Sequence, residues 1–148
     1  MAYHDDLLDQ ALHLARRDPK RPKQANLRRA ISTAYYALFH LLIADAVAYW
    51  KLERQRSSFA RVFEHKKMKG ACKNCNAPNG DLRAVAESFV ELQQSRHLAD
   101  YDNSRVWTKV EVMAHINRAG AAFQKWKHVK DRTDAQDFLL SLFVPERR

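Results

Sequence analysis

Three glycines and four prolines in 148 residues leave this chain with almost no turn chemistry. Tight hairpins draw on glycine, Asn-Gly pairs and proline at set positions, so such a chain is confined to a few long elements. Its apolar residues recur at helical spacing wherever they are dense, which makes those elements helices. The fold class that follows is all-α: an up-and-down bundle of five or six helices in a single domain over 1–148. Hydrophobic residues at 46% and charged ones at 29% are ordinary for a chain that buries a core.

Periodicity divides the chain. Leu7, Leu8, Ala11, Leu14 and Ala15 predict a first helix over 3–17, ended by Asp18-Pro19-Lys20-Arg21-Pro22. Leu27, Ile31, Ala34, Leu38, Leu41 and Leu42 predict a long second helix over 24–51. Ala30, Ala37, Ala44 and Ala48 thin its other faces, so it is expected at the centre. A third helix is expected over 56–73, with Ser57 or Ser58 as N-cap and a narrow apolar set of Phe59, Val62 and Phe63. Residues 74–80, with Pro78 and Asn79-Gly80, read as a loop. Asp81 is expected to cap a fourth helix striped by Leu82, Val85, Ala86, Phe89 and Leu92 and ending near Leu98. Val112, Ile116, Ala119, Phe123 and Trp126 mark a fifth helix over 108–129, with Val110 and Met113 widening its apolar face. A short helix over 134–143 closes the chain.

No apolar run reaches the roughly eighteen residues of a membrane span, since His40 and Asp45 interrupt the longest one. The N-terminus, with Asp5, Asp6 and Asp9, lacks the basic flank of a signal peptide, so a cytoplasmic location without membrane partners is the expectation. The net charge of +9 favours polyanionic partners, nucleic acid first. Arg16, Arg17, Lys20, Arg21, Lys23, Arg28 and Arg29 face only Asp18 in their stretch; from Lys51 to Lys73 eight cations face Glu53 and Glu64. Arg28, Arg29, Arg61, Lys66 and Lys67 are the candidate nucleic-acid ligands. A plain solvated surface is the competing account of the same charge.

Two segments carry chemistry beyond what a bundle needs. In Tyr35-Tyr36-Ala37-Leu38-Phe39-His40, two tyrosines and a histidine sit in a helix built for burial, and their polar tips need partners. In Arg96-His97-Leu98-Ala99-Asp100-Tyr101, an arginine and an aspartate at i, i+4 can pair if the helix reaches Asp100. That pair is either a helix-ending ion pair, with Tyr101 folded onto the core, or a phosphate ligand held by its carboxylate. His97 lies on another face. His65, among lysines, is either an exposed histidine or a neutral general base. With Arg96, Asp100 and Tyr101 it completes the candidate catalytic set for metal-free RNA cleavage.

Cys72 and Cys75 form a lone CxxC. A structural zinc site lacks its second pair, and the βαβ setting of a redox motif is absent, so neither metal nor cofactor is expected.

The two segments, in this order on a five-helix layout, resemble the HEPN superfamily of small all-α domains. The likeness is closest to a bacterial branch with a Tyr-Tyr-Ala-x-Phe-His helix and a later Arg-x-x-Ala-Asp-Tyr, and it covers roughly residues 5–130. A histidine in a basic segment between the two, as His65 is, also fits that branch. The resemblance implies an up-and-down bundle, often dimeric, with a cleft for RNA or nucleotide. It also implies either metal-independent ribonuclease activity, frequently as a toxin beside a nucleotidyltransferase-type partner, or binding without catalysis. Catalytic members carry an arginine followed after four to six residues by a histidine, and no arginine here meets that rule; Arg61 and His65 have three residues between them. Three functions stay open: an RNA-binding domain, a ribonuclease with a rebuilt site, and an interaction module.

Overall fold

The computed structural model describes residues 2–48, 50–75 and 80–144, and among them the chain forms seven helices and no strand. They are α1 (Tyr3–Arg16), α2 (Gln24–Val47), α3 (Glu53–Ala60), α4 (His65–Lys73), α5 (Gly80–Tyr101), α6 (Lys109–Val129) and α7 (Thr133–Ser141). Helix α2 packs against α1, α5 and α6, and more lightly against α3 and α7. It is long and apolar enough to cross a bilayer, yet most of its apolar window is covered by the neighbouring helices. Its stripe from Leu27 to Leu42 is buried, and so are Ala30 and Ala37, where a small side chain lets a neighbour approach. Each large apolar side chain enclosed this way contributes about 1.5–3 kcal/mol. Asp45, which breaks the apolar run, accepts a hydrogen bond at 2.5 Å from the buried Trp126 indole of α6.

The α5 stripe and the α6 stripe are both buried as their spacing requires. Thr108 caps α6 through a reciprocal capping box with Glu111. Val110 departs from expectation: it is 81% exposed and widens no apolar face.

The segment expected as one helix over 56–73 is two. In a single helix, Met68 and Cys72 would lie about 180° around the axis from Phe59 and Phe63, so both sets could not face the core. The chain breaks between them, with Glu64 in an extended conformation, and buries Phe63, Met68 and Cys72 together. Val62 falls in the break and is half exposed. Ser57 and Ser58 sit inside α3 rather than at its cap, which is Leu52 with no side-chain bond. Asp81 is likewise within the first turn of α5, where its charge suits the helix N-terminus. Of the expected loop, residues 76–79 lie outside the described residues, as does Tyr49, expected with Trp50 at the far end of the second helix.

Candidate functional site

Helix α2 carries a polar row through the apolar bundle. Gln24, Arg28, Ser32, Tyr36 and His40 recur every four residues, and i, i+4 neighbours share a helix face. Four of these five reach α5 or the connection that follows it. Gln24 exchanges two hydrogen bonds with the Trp107 backbone, at 2.7 and 2.9 Å. Arg28 donates to the carbonyls of Ala99, Asp102 and Arg105. The Ser32 hydroxyl lies 3.4 Å from Asp100 Oδ2, and the Tyr36 hydroxyl accepts from the Arg96 guanidinium at 2.9 Å.

Because α5 runs to Tyr101, three residues past the expected end, Arg96 and Asp100 stand at i, i+4 on one helix. Arg96 Nε is 2.9 Å from Asp100 Oδ2, an ion pair whose N–H does not align on the oxygen. The guanidinium lies over the Tyr36 ring at 5.3 Å and near the Tyr35 and Tyr101 rings at 6.0 and 5.9 Å. Tyr101 does not fold onto the core. It is 65% exposed, with its ring 5.0 Å from His97.

His65 opens α4 and enters the same cluster. Its imidazole stacks on Phe39 with centroids 4.2 Å apart, and Nδ1 lies 2.5 Å from the Tyr35 hydroxyl. Gln93 on α5 donates to the His65 carbonyl at 3.3 Å, while its own Oε1 is buried with no partner among the described residues. His65 and Arg96 therefore converge on the Tyr35–Tyr36 pair. His40 borders it, in ring contact with Tyr36 and with Tyr3 of α1.

The electrostatics follow from burial. Tyr35 is fully buried, and burial with the nearby Tyr36 pushes its hydroxyl far above the ordinary phenol range. It keeps its proton, and the partner in reach is His65 Nδ1. Donation from Tyr35 to Nδ1 leaves neutral His65 with its hydrogen on Nε2. Burial, then Arg96 and His40, hold His65 below the usual imidazole value, so the neutral form dominates at physiological pH. The expected neutral histidine is present, but burial and Arg96 produce it rather than the neighbouring lysines. In this tautomer Nε2 is a donor, not a base.

The candidate cations separate. Lys66 and Arg61 are exposed beside His65 and at the end of α3, and Lys67 pairs with Glu64 at 3.7 Å. Arg29 is exposed on α2. Arg28, the basic-run residue nearest the site, spends its guanidinium on backbone carbonyls. Cys72 is buried, its thiol pushed up by burial and by Cys75, as suits a packing residue. No group of three or more His, Cys, Asp or Glu among the described residues is arranged to hold a metal. Phe39 and Gln93 escaped sequence reading. The i+4 spacing from Tyr35 to Phe39 was visible, but nothing in sequence announced that a histidine from another helix would stack there.

No protein-family model, curated protein or solved structure matches the chain.

Proposed function

We propose that this chain is an RNA-binding domain of the HEPN kind that holds its ligand at Arg96 without cutting it. The observation that carries the reading is the Arg96 guanidinium, oriented by Tyr36 on one side and Asp100 on the other, beside the exposed Tyr101 ring. A fixed guanidinium suits a phosphodiester, an exposed aromatic suits an unstacked base, and the net charge of +9 draws a polyanion towards both. His65 adds a neutral Nε2–H donor for a phosphate oxygen.

The convergence of Arg96 and His65 favours a second reading, a metal-independent ribonuclease with a rebuilt site. Such an enzyme needs a nitrogen lone pair to take the 2′-hydroxyl proton. His65 has committed Nδ1 to Tyr35, and the raised phenol offers no relay for that proton. Binding is therefore the better-supported reading.

Its test is equilibrium binding of labelled single-stranded RNA across a salt series. The expected result is a linear fall of log K with log salt, at about 0.7 per phosphate engaged. Undetectable binding at low salt would remove the reading and leave the interaction module in front.

A further inference from the structure

We infer that Arg28 is a positioning residue: it fixes the end of α5 so that Asp100, and through it Arg96, face the ligand. The inference rests on the RNA-binding reading for its affinity readout alone. The last turn of a helix leaves carbonyls without intrahelical donors. Here one guanidinium from α2 takes Ala99 O at 2.9 Å, Asp102 O at 2.8 Å and Arg105 O in the connection beyond. Asp100 and Tyr101 lie between the first two of these anchors. The same α2 row supplies Gln24 one turn earlier, bonded both ways to the Trp107 backbone, and Ser32 one turn later, against Asp100 itself. Between the anchors, Asp102 Oδ1 accepts from the Ser104 backbone and hydroxyl at 3.0 and 2.6 Å, so the connection is pinned from both sides.

Composition points the other way. Arg28 stands in the most basic run of the chain and reads as a phosphate ligand. The two roles differ in what they ask of the side chain. A phosphate ligand needs charge, which lysine supplies. A residue bridging three carbonyls needs the planar fork, which lysine lacks.

The experiment compares Arg28→Lys with Arg28→Ala for a short 5′-labelled oligouridine, measuring Kd, salt slope and thermal midpoint, and repeats Arg28→Lys on an Asp100→Asn background. Positioning predicts that both single variants lose affinity by about tenfold, equivalent to 1.4 kcal/mol. The salt slope should be the same for the two variants, because lysine and alanine alike leave Arg96 misplaced and neither removes a phosphate contact of Arg28 itself. It also predicts that Arg28→Lys adds less than about twofold once Asp100 is already asparagine, since the two act through one site. Wild-type affinity for Arg28→Lys, with a shallower slope for Arg28→Ala, would make Arg28 a direct ligand and overturn the inference. So would full additivity with Asp100→Asn, the mark of a general stability effect. If wild type binds no oligouridine, the RNA reading fails, and amide hydrogen exchange decides the positioning claim alone. Arg28→Lys must then speed exchange over residues 100–105 while leaving α1 and α6 as in wild type, and unchanged exchange there overturns it.

Discussion

The Tyr35 hydroxyl and His65 Nδ1, thirty residues apart in sequence, lie 2.5 Å from each other with the phenol fully buried. That contact sets the histidine's tautomer and makes its protonation costly: imidazolium would turn Nδ1 into a donor and leave the tyrosine hydrogen without a partner. Removing the hydroxyl tests this. Tyr35→Phe should raise the His65 pKa towards its ordinary value and cost about 1–2 kcal/mol of stability. Histidine ring titration by NMR reads the first, urea unfolding the second. A His65 titration that does not move would show that the hydroxyl plays no part in holding it neutral.

Tyr101 separates binding from folding. It is 65% exposed, so Tyr101→Ala should change stability by no more than about 0.5 kcal/mol. If its ring stacks on a base, the same change should weaken single-stranded RNA binding by about 1–3 kcal/mol. Equal affinity of wild type and variant would leave the exposed ring without a role in recognition.

Arg96→Lys keeps the charge and loses the geometry. A lysine ammonium is a point charge and does not reproduce the planar fork that meets both Tyr36 and Asp100. Binding should fall almost as far as for Arg96→Ala. Retention of wild-type affinity by the lysine variant would reduce the site to a nonspecific cation.

Acid should destabilise the fold well before carboxylates titrate. His40, His65 and His115 are all held below the ordinary value of 6.5, in each case first by burial. His4 adds to this at His40, Arg96 at His65 and Arg118 at His115. Below about pH 6.5 the unfolded chain binds protons that the folded chain refuses, so stability falls as pH drops towards the folded values. Above that point all three are neutral in both states and add no pH dependence. Urea midpoints should be flat above about pH 7 and decline steadily below 6.5. A midpoint that holds constant through this range would mean that the three histidines titrate normally in the folded protein.

Much of this molecule was legible in sequence because one face of each main helix is apolar at a fixed period. The stripes from Leu27 to Leu42, Leu82 to Leu92 and Val112 to Trp126 could not be buried any other way. The break between α3 and α4 was not legible. It depends on Met68 and Cys72 finding the same core as Phe63, and a window of local sequence does not hold that three-dimensional fact. At the site, the i, i+4 pairing of Arg96 with Asp100 and the need of Tyr36 for a partner could both be read from spacing. The capture of Arg28 by carbonyls at and just beyond the end of α5 could not, because charge composition carries no information about backbone acceptors seventy residues away. Phe39 beneath His65 was hidden for the same reason: each is ordinary on its own helix and gains meaning only from the other.

The most direct test of the account is a single set of tubes containing end-labelled single-stranded or transfer RNA in EDTA, with wild type or Arg96→Ala, read for both gel shift and cleavage. The account predicts a salt-sensitive shift by wild type, intact RNA throughout, and a much weaker shift by the folded mutant. Cleavage by wild type that vanishes in Arg96→Ala would contradict it and establish a ribonuclease working through Arg96.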